Sequence, residues 1–471
     1  MHHIEQVYIN GEFVTPHGTE RFDLYNPAKA RVIGQVRLAD AVDGERAIAA
    51  ARAAFPAWSK ATKQMRIAAL QRMQATVAAR HDDLLEAVVE EYGAPASRSA
   101  WMASYPAEVI AQAIAALEAF EFTTVAGAAR VEMTPLGVAG LITPWNSDAG
   151  FICGKLAAAL AAGCTAVIKP SEMSALQTQI VTEALHAADL PPGVFNIVTG
   201  RGDTVGETIS RHPHVAKISF TGSTRTGKAI LRNAAENFTR VTLELGGKSP
   251  TLILDDADIK QAIPLAVQAG LMNSGQACVA GTRILVPQSR KAEFEQALAL
   301  AVAAVASGDP RDAKTVVGPM VSERQWQRVQ GYIQKGLAEG ARLLAGGVGR
   351  PEGTRDGWFV RPTLFTDVHN QMAIARDEIF GPVLCVIAYR DEAEAIAIAN
   401  DTDYGLSALV LGGDSGRARR VAQQIQAGRV LVNTLTHEPK APFGGFKHSG
   451  VGREMGTWGI SAFMEPKSIL S

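Results

Sequence analysis

The residue types best suited to covalent chemistry lie around Cys278, in residues 272–283 with the sequence MNSGQACVAGTR. Gly275 and Gly281 stand three positions from the cysteine on either side. Small neighbours let a ligand approach the backbone closely and leave the sulfur uncrowded. Only a thiolate is nucleophilic, so a proton acceptor or positive surroundings must come from elsewhere in the chain. The alternative is a buried cysteine that packs as a small apolar side chain.

A carboxylate and an amide elsewhere in the chain could assist such a thiol. Residues 243–248 (LELGGK) place Glu244 at the end of an apolar strand. Burial raises the pKa of a carboxyl group toward neutrality, as a general base requires. Glu244 could instead be a structural group that accepts hydrogen bonds from the two glycine N–H groups. Asn146, after Pro144 and Trp145, could donate to a developing oxyanion or be an ordinary turn residue.

Two glycine-containing loops are candidates for phosphate binding. Residues 221–228 (TGSTRTGK) lie between a predicted strand and a predicted helix, where free N–H groups and the helix dipole favour an anion. The segment matches the front of a P-loop, but Ala229 follows it, so the hydroxyl that would bind Mg²⁺ is missing. Residues 200–206 (GRGDTVG) are one residue longer than the dinucleotide-binding fingerprint and are typical of a turn.

Residues 169–172 (KPSE) place Lys169 and Glu172 at the end of another predicted strand. A cation and a carboxylate in that position could hold ribose hydroxyls, and the carboxylate would repel a 2′-phosphate. The alternative is a solvated surface ion pair.

The elements that must position these groups alternate between helix and strand from about residue 128 onward. Helices predicted at 151–162, 175–188, 203–211 and 225–236 are each followed by a short apolar strand, which indicates a parallel sheet covered on both faces. A second α/β run starts at Pro250. Before residue 128, strands are predicted near 7–9 and 32–36, then helices, the first one capped by Asp43. The fold class is therefore α/β.

Composition excludes several function classes. The 471 residues carry 46 basic and 47 acidic side chains, so neither nucleic acid nor an anionic membrane is an expected partner. The longest uncharged apolar run, between Lys155 and Lys169, has 13 residues and is too short to span a bilayer. Residues 1–10 lack the apolar core of a signal peptide. Four scattered cysteines, none at metal-ligand spacing, fit a reducing compartment, and we expect a cytoplasmic protein without a metal site.

Together these motifs resemble the NAD(P)-dependent aldehyde dehydrogenase superfamily, of the hydrolytic, non-CoA-acylating type, over essentially the whole chain. The matching segments, in chain order, are PWN at 144–146, KPSE at 169–172, FTGS at 220–223 with Gly227, LELGGK at 243–248, NSGQAC at 273–278 with GTR at 281–283, EIFGP at 378–382, and PFGGFK at 442–447 with SG at 449–450.

The resemblance implies a mechanism in which Cys278 attacks an aldehyde to form a thiohemiacetal. Asn146 and the Cys278 N–H would hold its oxyanion, and loss of a hydride to the cofactor would leave a thioester. Glu244 would then activate the water that releases the acid. Lys155 matches a position linked to thiol activation and Glu454 one linked to proton relay; a structural ion pair is the alternative for both.

The resemblance also implies binding sites. NAD is favoured by Glu172, with NADP possible. The implied cofactor contacts are Thr143, Trp145, Lys169, Ser171, Glu172, Gly202, Gly206, Phe220, Gly222, Ser223, Leu245, Glu378 and Phe380. The implied substrate pocket contains Gly150, Phe151, Gly154, Ala277, Val279, His437 and Phe443. The family usually has an aromatic residue and proline after the Asn146 position, where this chain has Ser147 and Asp148. The small pocket residues suggest a bulky, aromatic or medium-chain aldehyde.

The implied architecture has three parts. A Rossmann-like NAD(P)-binding domain would comprise residues 1–119 and 137–246, and an α/β catalytic domain residues 247–436. A small β element, residues 120–136 and 437–471, would bridge subunits in a homodimer or homotetramer.

Three other functions remain possible from the sequence. A CoA-acylating semialdehyde dehydrogenase typically lacks the base at Glu244. A P-loop nucleotide hydrolase would need the hydroxyl that Ala229 lacks. A catalytically silent binding protein would not need Cys278, Glu244 and Asn146 together.

Overall fold

The structure, a computed structural model, describes residues 1–354 and 356–470. Its strands are β1 His2–Ile4, β2 Val7–Ile9, β3 Glu12–Val14, β4 Arg21–Asn26, β5 Arg31–Arg37, β6 Thr123–Ala126, β7 Ala129–Pro135, β8 Val138–Ile142, β9 Thr165–Lys169, β10 Phe195–Ile197, β11 Val215–Thr221, β12 Arg240–Glu244, β13 Pro250–Ile253, β14 Arg283–Pro287, β15 Arg342–Ala345, β16 Thr363–Thr366, β17 Val383–Tyr389, β18 Ser407–Leu411, β19 Arg429–Val432, β20 Gly450–Val451 and β21 Met464–Leu470. Its helices are α1 Ala41–Trp58, α2 Lys63–Ala78, α3 His81–Ala87, α4 Ala96–Ala119, α5 Asp148–Ala162, α6 Ala175–Ala187, α7 Glu207–Arg211, α8 Thr224–Ala235, α9 Ile259–Leu271, α10 Lys291–Ala303, α11 Glu323–Ala338, α12 Ala373–Arg376, α13 Glu392–Asn400, α14 Ser415–Ala422 and α15 Gly456–Ser461.

The first large sheet has the strand order β20-β12-β11-β8-β9-β10-β2-β3. Its five central strands, from β12 to β10, are parallel. The chain runs from β8 outward to β9 and β10, then returns to the other side of β8 for β11 and β12. The order therefore reverses between β8 and β11, and a crevice for ligands opens there beyond the carboxyl ends of the strands. The candidate residues Thr143, Lys169 and Glu244 stand at those strand ends.

The second large sheet has the order β15-β16-β17-β14-β13-β18-β19, in which β15 is antiparallel and the other pairs are parallel. Apolar clusters cover both of its faces, which explains why its strands read as continuous apolar runs. The cysteine loop connects α9 to β14, so it lies at the amino end of this sheet. It meets the first sheet through Gly247, where a Cβ would lie 2.3 Å from the carbonyl oxygen of Cys278.

Helices α4 and α5 pack against each other and bury the largest apolar cluster, which includes Ile110, Leu117, Ile152 and Leu156. Helix α5 begins at Asp148, whose buried carboxylate accepts hydrogen bonds from the hydroxyls of Thr143 and Thr178. The apolar side chains at helical spacing predicted both helices. The contacts between them, such as Gly150 against Tyr105 and Gly154 against Val109, join residues distant in sequence, so no local pattern predicts them.

The predicted cap of α1 is wrong by one turn. Asp40 is the N-cap residue and accepts from the N–H groups of Val42 and Asp43. Asp43 is the third helical residue of the same capping box, and its side chain also accepts from the N–H groups of His17 and Gly18. The Asp43 carboxylate therefore links the backbone of His17 and Gly18 to the start of α1.

A separate three-stranded sheet has the order β21-β7-β6. Strands β21 and β7 pair antiparallel along all seven residues of each. The four residues of β6 are exposed and show no apolar alternation, so no local pattern in the sequence predicts this strand. Among the described residues, no helix has both the length and the apolar character needed to cross a membrane.

Candidate active site

The cysteine loop has an unusual backbone. Asn273, Ser274 and Gly275 have φ angles of 54°, 59° and 73°, three consecutive residues in the left-handed region. A residue other than glycine costs about 1–3 kcal/mol there, so the surrounding structure must hold the loop in place. Gly275 is required for a second reason, since a Cβ there would lie 2.3 Å from the backbone of Gly381. Close backbone contact fixes the segment that presents Cys278.

Hydrogen bonds join this loop to the residue that follows Trp145. The Nδ2 of Asn273 donates to the carbonyl oxygens of Asn146 and Gln276, both at 3.2 Å. The Nδ2 of Asn146 donates to the same Gln276 carbonyl at 3.0 Å. Asn146 has two amide hydrogens, so one remains for a ligand. The arrangement holds the Asn146 side chain beside the cysteine loop.

The loop is also fastened to the segment before α11. The hydroxyl of Ser274 accepts from the N–H of Gly318 at 2.9 Å. The Gln276 side chain donates to the Pro319 carbonyl at 3.2 Å and accepts from the Val321 N–H at 3.0 Å. Sequence reasoning did not identify Asn273, Ser274 or Gln276 as positioning residues. Their partners are distant in sequence, and no local pattern indicates them.

Cys278 is partly exposed, whereas Cys153, Cys164 and Cys385 are buried. Burial in the cavity wall, and then the Glu378 and Glu244 carboxyl groups, raise the pKa of the Cys278 thiol to about 12, while Arg429 opposes them. The sulfur is therefore a thiol at neutral pH in the ligand-free protein, and its attack requires a proton acceptor.

Glu244 is 3 % exposed, and neither carboxyl oxygen has a hydrogen-bond partner in the described part of the chain. Burial, and then the charge of Glu454, raise the pKa of Glu244 well above its usual range. The glycine N–H groups do not satisfy it, because the Gly247 N–H donates to Glu378 at 3.0 Å. Glu244 is therefore a buried carboxyl group without structural hydrogen bonds, as a general base would be.

Lys155 and Glu454 form the ion pair that was the alternative reading for both residues. The Lys155 Nζ lies 2.5 Å from a Glu454 oxygen and donates to the Ser219 hydroxyl at 2.9 Å. Ser219 donates to the same Glu454 oxygen at 2.7 Å. Both members of the pair border the cavity that contains Cys278 and Glu244.

The adenosine end of the expected cofactor crevice contains a cation and a carboxylate. Lys169, 5 % exposed, lies 3.5 Å from Glu172. Glu172 also pairs with Arg201 at 3.2 Å, which the sequence did not indicate. A Cβ on Gly202 would meet nothing within 4 Å, and one on Gly206 would touch only the Lys169 side chain. The site is therefore open beside a buried ammonium group, which fits a ribose. Ser171 caps the following short 3₁₀ turn.

The loop after β11 matches a phosphate site. Ser223 is the N-cap of α8, and its hydroxyl accepts from the Thr226 N–H at 3.3 Å. The buried hydroxyls of Thr221 and Thr224 have no partner within the described residues, so polar groups remain for a ligand. Phe220 and Leu245 form the apolar floor, since Cβ atoms on Gly222 and Gly227 would collide with their side chains.

The opposite end of the crevice is aromatic and reaches the cysteine loop. The rings of Trp145 and Phe380 meet edge to face at 5.5 Å. Phe380 has a φ of 63°, and the Nε2 of Gln325 donates to its carbonyl at 2.8 Å. Burial raises the pKa of neighbouring Glu378 to about 7. The Thr143 hydroxyl is engaged by Asp148, so only its backbone and methyl group are free for a cofactor.

One cavity of about 650 Å³ contains the residues expected to perform the chemistry and to line the substrate pocket. They are Asn146, Lys155, Glu244, Cys278 and Glu454, together with Gly150, Phe151, Gly154, Ala277, Val279, His437 and Phe443. Sequence reasoning missed further lining residues, among them Arg98, Trp101, Tyr105, Arg429, Leu431 and Phe463. Helix α4 therefore forms one wall of the cavity.

Two of the pocket glycines differ in what they do. A Cβ on Gly150 would lie 2.6 Å from the Tyr105 ring, so this glycine makes room for α4 and does not widen the pocket. A Cβ on Gly154 would be at ordinary contact distance, 3.6 Å from Val109. Gly154 is therefore the position where a small residue leaves space for substrate.

The model of the aldehyde dehydrogenase family matches residues 13–469. A Pseudomonas protein named 3-succinoylsemialdehyde-pyridine dehydrogenase is 42 % identical over 472 residues, covering 100 % of this chain and 99 % of that protein. A mutant of aldehyde dehydrogenase C from Pseudomonas syringae, solved with NAD⁺ and octanal, has a TM-score of 0.97 at 44 % identity, covering 99 % of this chain and 96 % of that one.

An aldehyde dehydrogenase from Mycobacterium tuberculosis, solved with NAD⁺, has a TM-score of 0.96 at 38 % identity, covering 100 % of this chain and 98 % of that one. These similarities confirm the predicted fold and the family resemblance that the sequence motifs indicated. Cys278, the buried carboxyl group of Glu244 and the ligand crevice thus lie on a fold shared with solved aldehyde dehydrogenases. The chain belongs to the aldehyde dehydrogenase family.

Proposed function

We propose that the protein oxidises an aldehyde to the carboxylic acid with NAD as the oxidant, through a covalent intermediate on Cys278. The observation that carries the proposal is that Cys278, Asn146 and Glu244 border one cavity beside the crevice of a doubly wound sheet. Three separate segments of the chain thus contribute the nucleophile, the oxyanion donor and the base that acyl chemistry needs.

In the first step the Cys278 thiol loses its proton to the Lys155–Glu454 pair in the same cavity, and the sulfur attacks the carbonyl carbon to form a thiohemiacetal. The free amide hydrogen of Asn146 and the Cys278 N–H stabilise its oxyanion; each such donor supplies about 3–4 kcal/mol. The hydrogen bond from Asn146 to the Gln276 carbonyl orients the amide before substrate arrives. The positioning of the donor therefore requires no reorganisation during the reaction.

The crevice fits NAD. Lys169 and Glu172 would hold the adenosine ribose, the N-terminus of α8 at Ser223 the pyrophosphate, and Glu378 with Phe380 the nicotinamide ribose, supported by the other crevice residues described above. When bound, NAD supplies the hydride acceptor. Glu172 favours NAD over NADP because a 2′-phosphate beside it would be repelled.

Glu244 serves as the base for hydrolysis of the Cys278 thioester. Its carboxyl group makes no structural hydrogen bond in the described residues, so a water molecule can occupy its oxygens without displacing a partner. The Lys155–Glu454 pair borders the same cavity and would relay the proton onward. Hydrolysis is favoured over transfer to CoA because this base is present.

We infer a bulky, aromatic or medium-chain aldehyde from the size and largely apolar walls of the cavity. Assay of an aldehyde panel, followed by NADH absorbance with wild type and Cys278→Ala, tests the function and the substrate class together. Turnover that survives in Cys278→Ala would refute the covalent mechanism. Faster reaction with short aliphatic aldehydes than with aromatic or medium-chain ones would refute the substrate class.

We further propose that the β21-β7-β6 sheet bridges subunits of a homodimer or homotetramer in the cytoplasm. Strand β6 is exposed along its length, and Val125 and Leu470 leave 80 % and 74 % of their surfaces uncovered. Exposed apolar side chains on a sheet are typical of an interface. Light scattering should therefore show an oligomer, and a monomer at micromolar concentration would contradict the proposal.

A further inference from the structure

Two arginines border the substrate cavity without an acidic partner. Arg429, the first residue of β19, donates from Nε to the Ser407 hydroxyl at 3.2 Å, and its Nη1 lies 3.5 Å from the Nδ1 of His437. Arg98, in α4, stacks its guanidinium 3.6 Å from the centre of the Trp101 ring, and its buried Nε has no acceptor. In the described part of the chain neither arginine forms an ion pair.

A structural arginine in the same protein looks different. Arg283 is fully buried, and its nitrogens donate to the carbonyls of Lys248, Ile398 and Ala399 and to the Asn370 side chain. Four acceptors surround that guanidinium. Arg429 has only a hydroxyl and an imidazole, and most of its five N–H donors remain unused.

The acidic groups of the cavity do not neutralise the two arginines. Glu454 is paired with Lys155, and burial raises the pKa of Glu244 well above its usual range, which disfavours its charged form. Glu108, the remaining acidic lining residue, is exposed. The cavity therefore contains fixed positive charge, and an unpaired guanidinium next to apolar walls is costly unless an anion meets it.

The surroundings of Arg429 prepare it for a carboxylate. Burial and then the Arg429 charge lower the pKa of His437, which favours its neutral form, so its Nδ1 can accept from the guanidinium. The Phe443 ring lies 5.8 Å from the guanidinium carbon. A planar guanidinium held on one side by two neutral groups presents its remaining donors as a fork, which matches a carboxylate in geometry and charge.

We propose that the substrate is an aldehyde whose apolar body carries a carboxylate, and that Arg429 binds this carboxylate. The proposal rests on the proposed aldehyde oxidation and narrows its substrate class. Arg98 contributes to the positive charge of the cavity but is stacked on Trp101. Arg429 lies at the end of β19 that adjoins the cysteine loop, where it acts on substrate specificity and not on bond making.

The test compares aldehydes that differ only in charge. One pair is 4-formylbenzoate and 4-formylbenzamide; a flexible pair is 8-oxooctanoate and 8-oxooctanamide. The measured quantity is the ratio of kcat/KM for the acid to kcat/KM for its amide. In wild type we expect a ratio of about 10 to 100 for at least one pair, the discrimination that a hydrogen-bonded charge supplies.

Arg429→Gln should bring that ratio close to one, mainly through a higher KM for the acid, and Arg429→Lys should retain part of it. Arg98→Gln is the matched control, because it removes the same charge from the same cavity and should change the ratio less. Thermal melting and NAD binding establish that each variant is folded.

A wild-type ratio near one for both pairs, with the aldehydes still oxidised, would overturn the carboxylate proposal and leave the proposed function intact. Loss of the ratio in Arg98→Gln but not in Arg429→Gln would overturn the assignment to Arg429. Absence of oxidation of these aldehydes and of octanal would instead count against the proposed function. If Arg429→Gln does not fold, Arg429→Lys is the deciding variant. The proposal is contradicted if Arg429→Lys keeps the full wild-type ratio of kcat/KM for acid and amide while it binds NAD more weakly.

Discussion

Glu244→Gln should separate the two halves of the proposed reaction. The side chain is 3 % exposed and its oxygens have no hydrogen-bond partner in the described residues. Glutamine has the same shape, so the change removes the base without breaking a structural contact. Attack by Cys278 and hydride loss remain possible, whereas hydrolysis of the thioester loses the group that takes the proton from water.

The expected loss in kcat is about 10²- to 10⁴-fold, or about 2.7–5.4 kcal/mol, the usual contribution of general base catalysis. Stopped-flow mixing with aldehyde and NAD should show a rapid burst of about one NADH per active site and then slow turnover. Mass spectrometry of the quenched protein should find the acyl group on Cys278.

The pH dependence follows from the raised pKa of Glu244. Its folded-state carboxyl group holds a proton that the unfolded chain loses at lower pH, so wild-type stability falls as pH rises from the unfolded toward the folded pKa. Glu244→Gln removes this loss and should melt at a higher temperature than wild type at alkaline pH. Wild-type turnover should rise with pH in that range, and the slow turnover of Glu244→Gln should not follow it.

Glu378 provides the matched control. It is the other carboxyl group whose charge acts on Cys278, and burial raises its pKa to about 7. Glu378→Gln should weaken NAD use without accumulation of acyl-enzyme. If Glu378→Gln gave the burst and Glu244→Gln turned over at the wild-type rate, the assignment of the base would be refuted. If Glu244→Gln abolished the burst as well, Glu244 would act on the thiol instead.

Four further outcomes are expected. Asn146→Ala should lower kcat about 10²- to 10³-fold with a small change in melting temperature; an unchanged kcat would remove it from the oxyanion site. Iodoacetamide should label Cys278 in the native protein, slowly at neutral pH because the sulfur is protonated there and faster as pH rises, and leave the three buried cysteines unlabelled until denaturation, as peptide mapping would show. Arg283→Met should destabilise the fold by about 3 kcal/mol or more in urea titration, because buried carbonyls lose their donor. Glu172→Gln should raise kcat/KM for NADP relative to NAD by about tenfold or more, and an unchanged ratio would place cofactor choice elsewhere.

The sequence by itself determined the α/β class, most of the helices and strands that build the two large sheets, and the identity of the family, but it did not predict β17 at Val383–Tyr389. Those features depend on local periodicity and on short segments such as LELGGK and NSGQAC. Such segments can be recognised from their residue types alone, without knowledge of the residues that they contact in the fold. The seven expected pocket residues also lie in one cavity. They were assigned by matching a family in which these positions line the same pocket, so the resemblance already contained information about their proximity.

Only the tertiary structure decided how the site is held and what else borders it. The left-handed backbone at Asn273 and Ser274 is maintained by hydrogen bonds from residues more than forty positions away in sequence, such as Gly318 and Asn146. Gly150 is small because Tyr105 packs against it. Arg98 and Arg429 come from opposite ends of the chain, and whether an arginine is solvated, paired or left facing a cavity depends on long-range packing that no local pattern encodes.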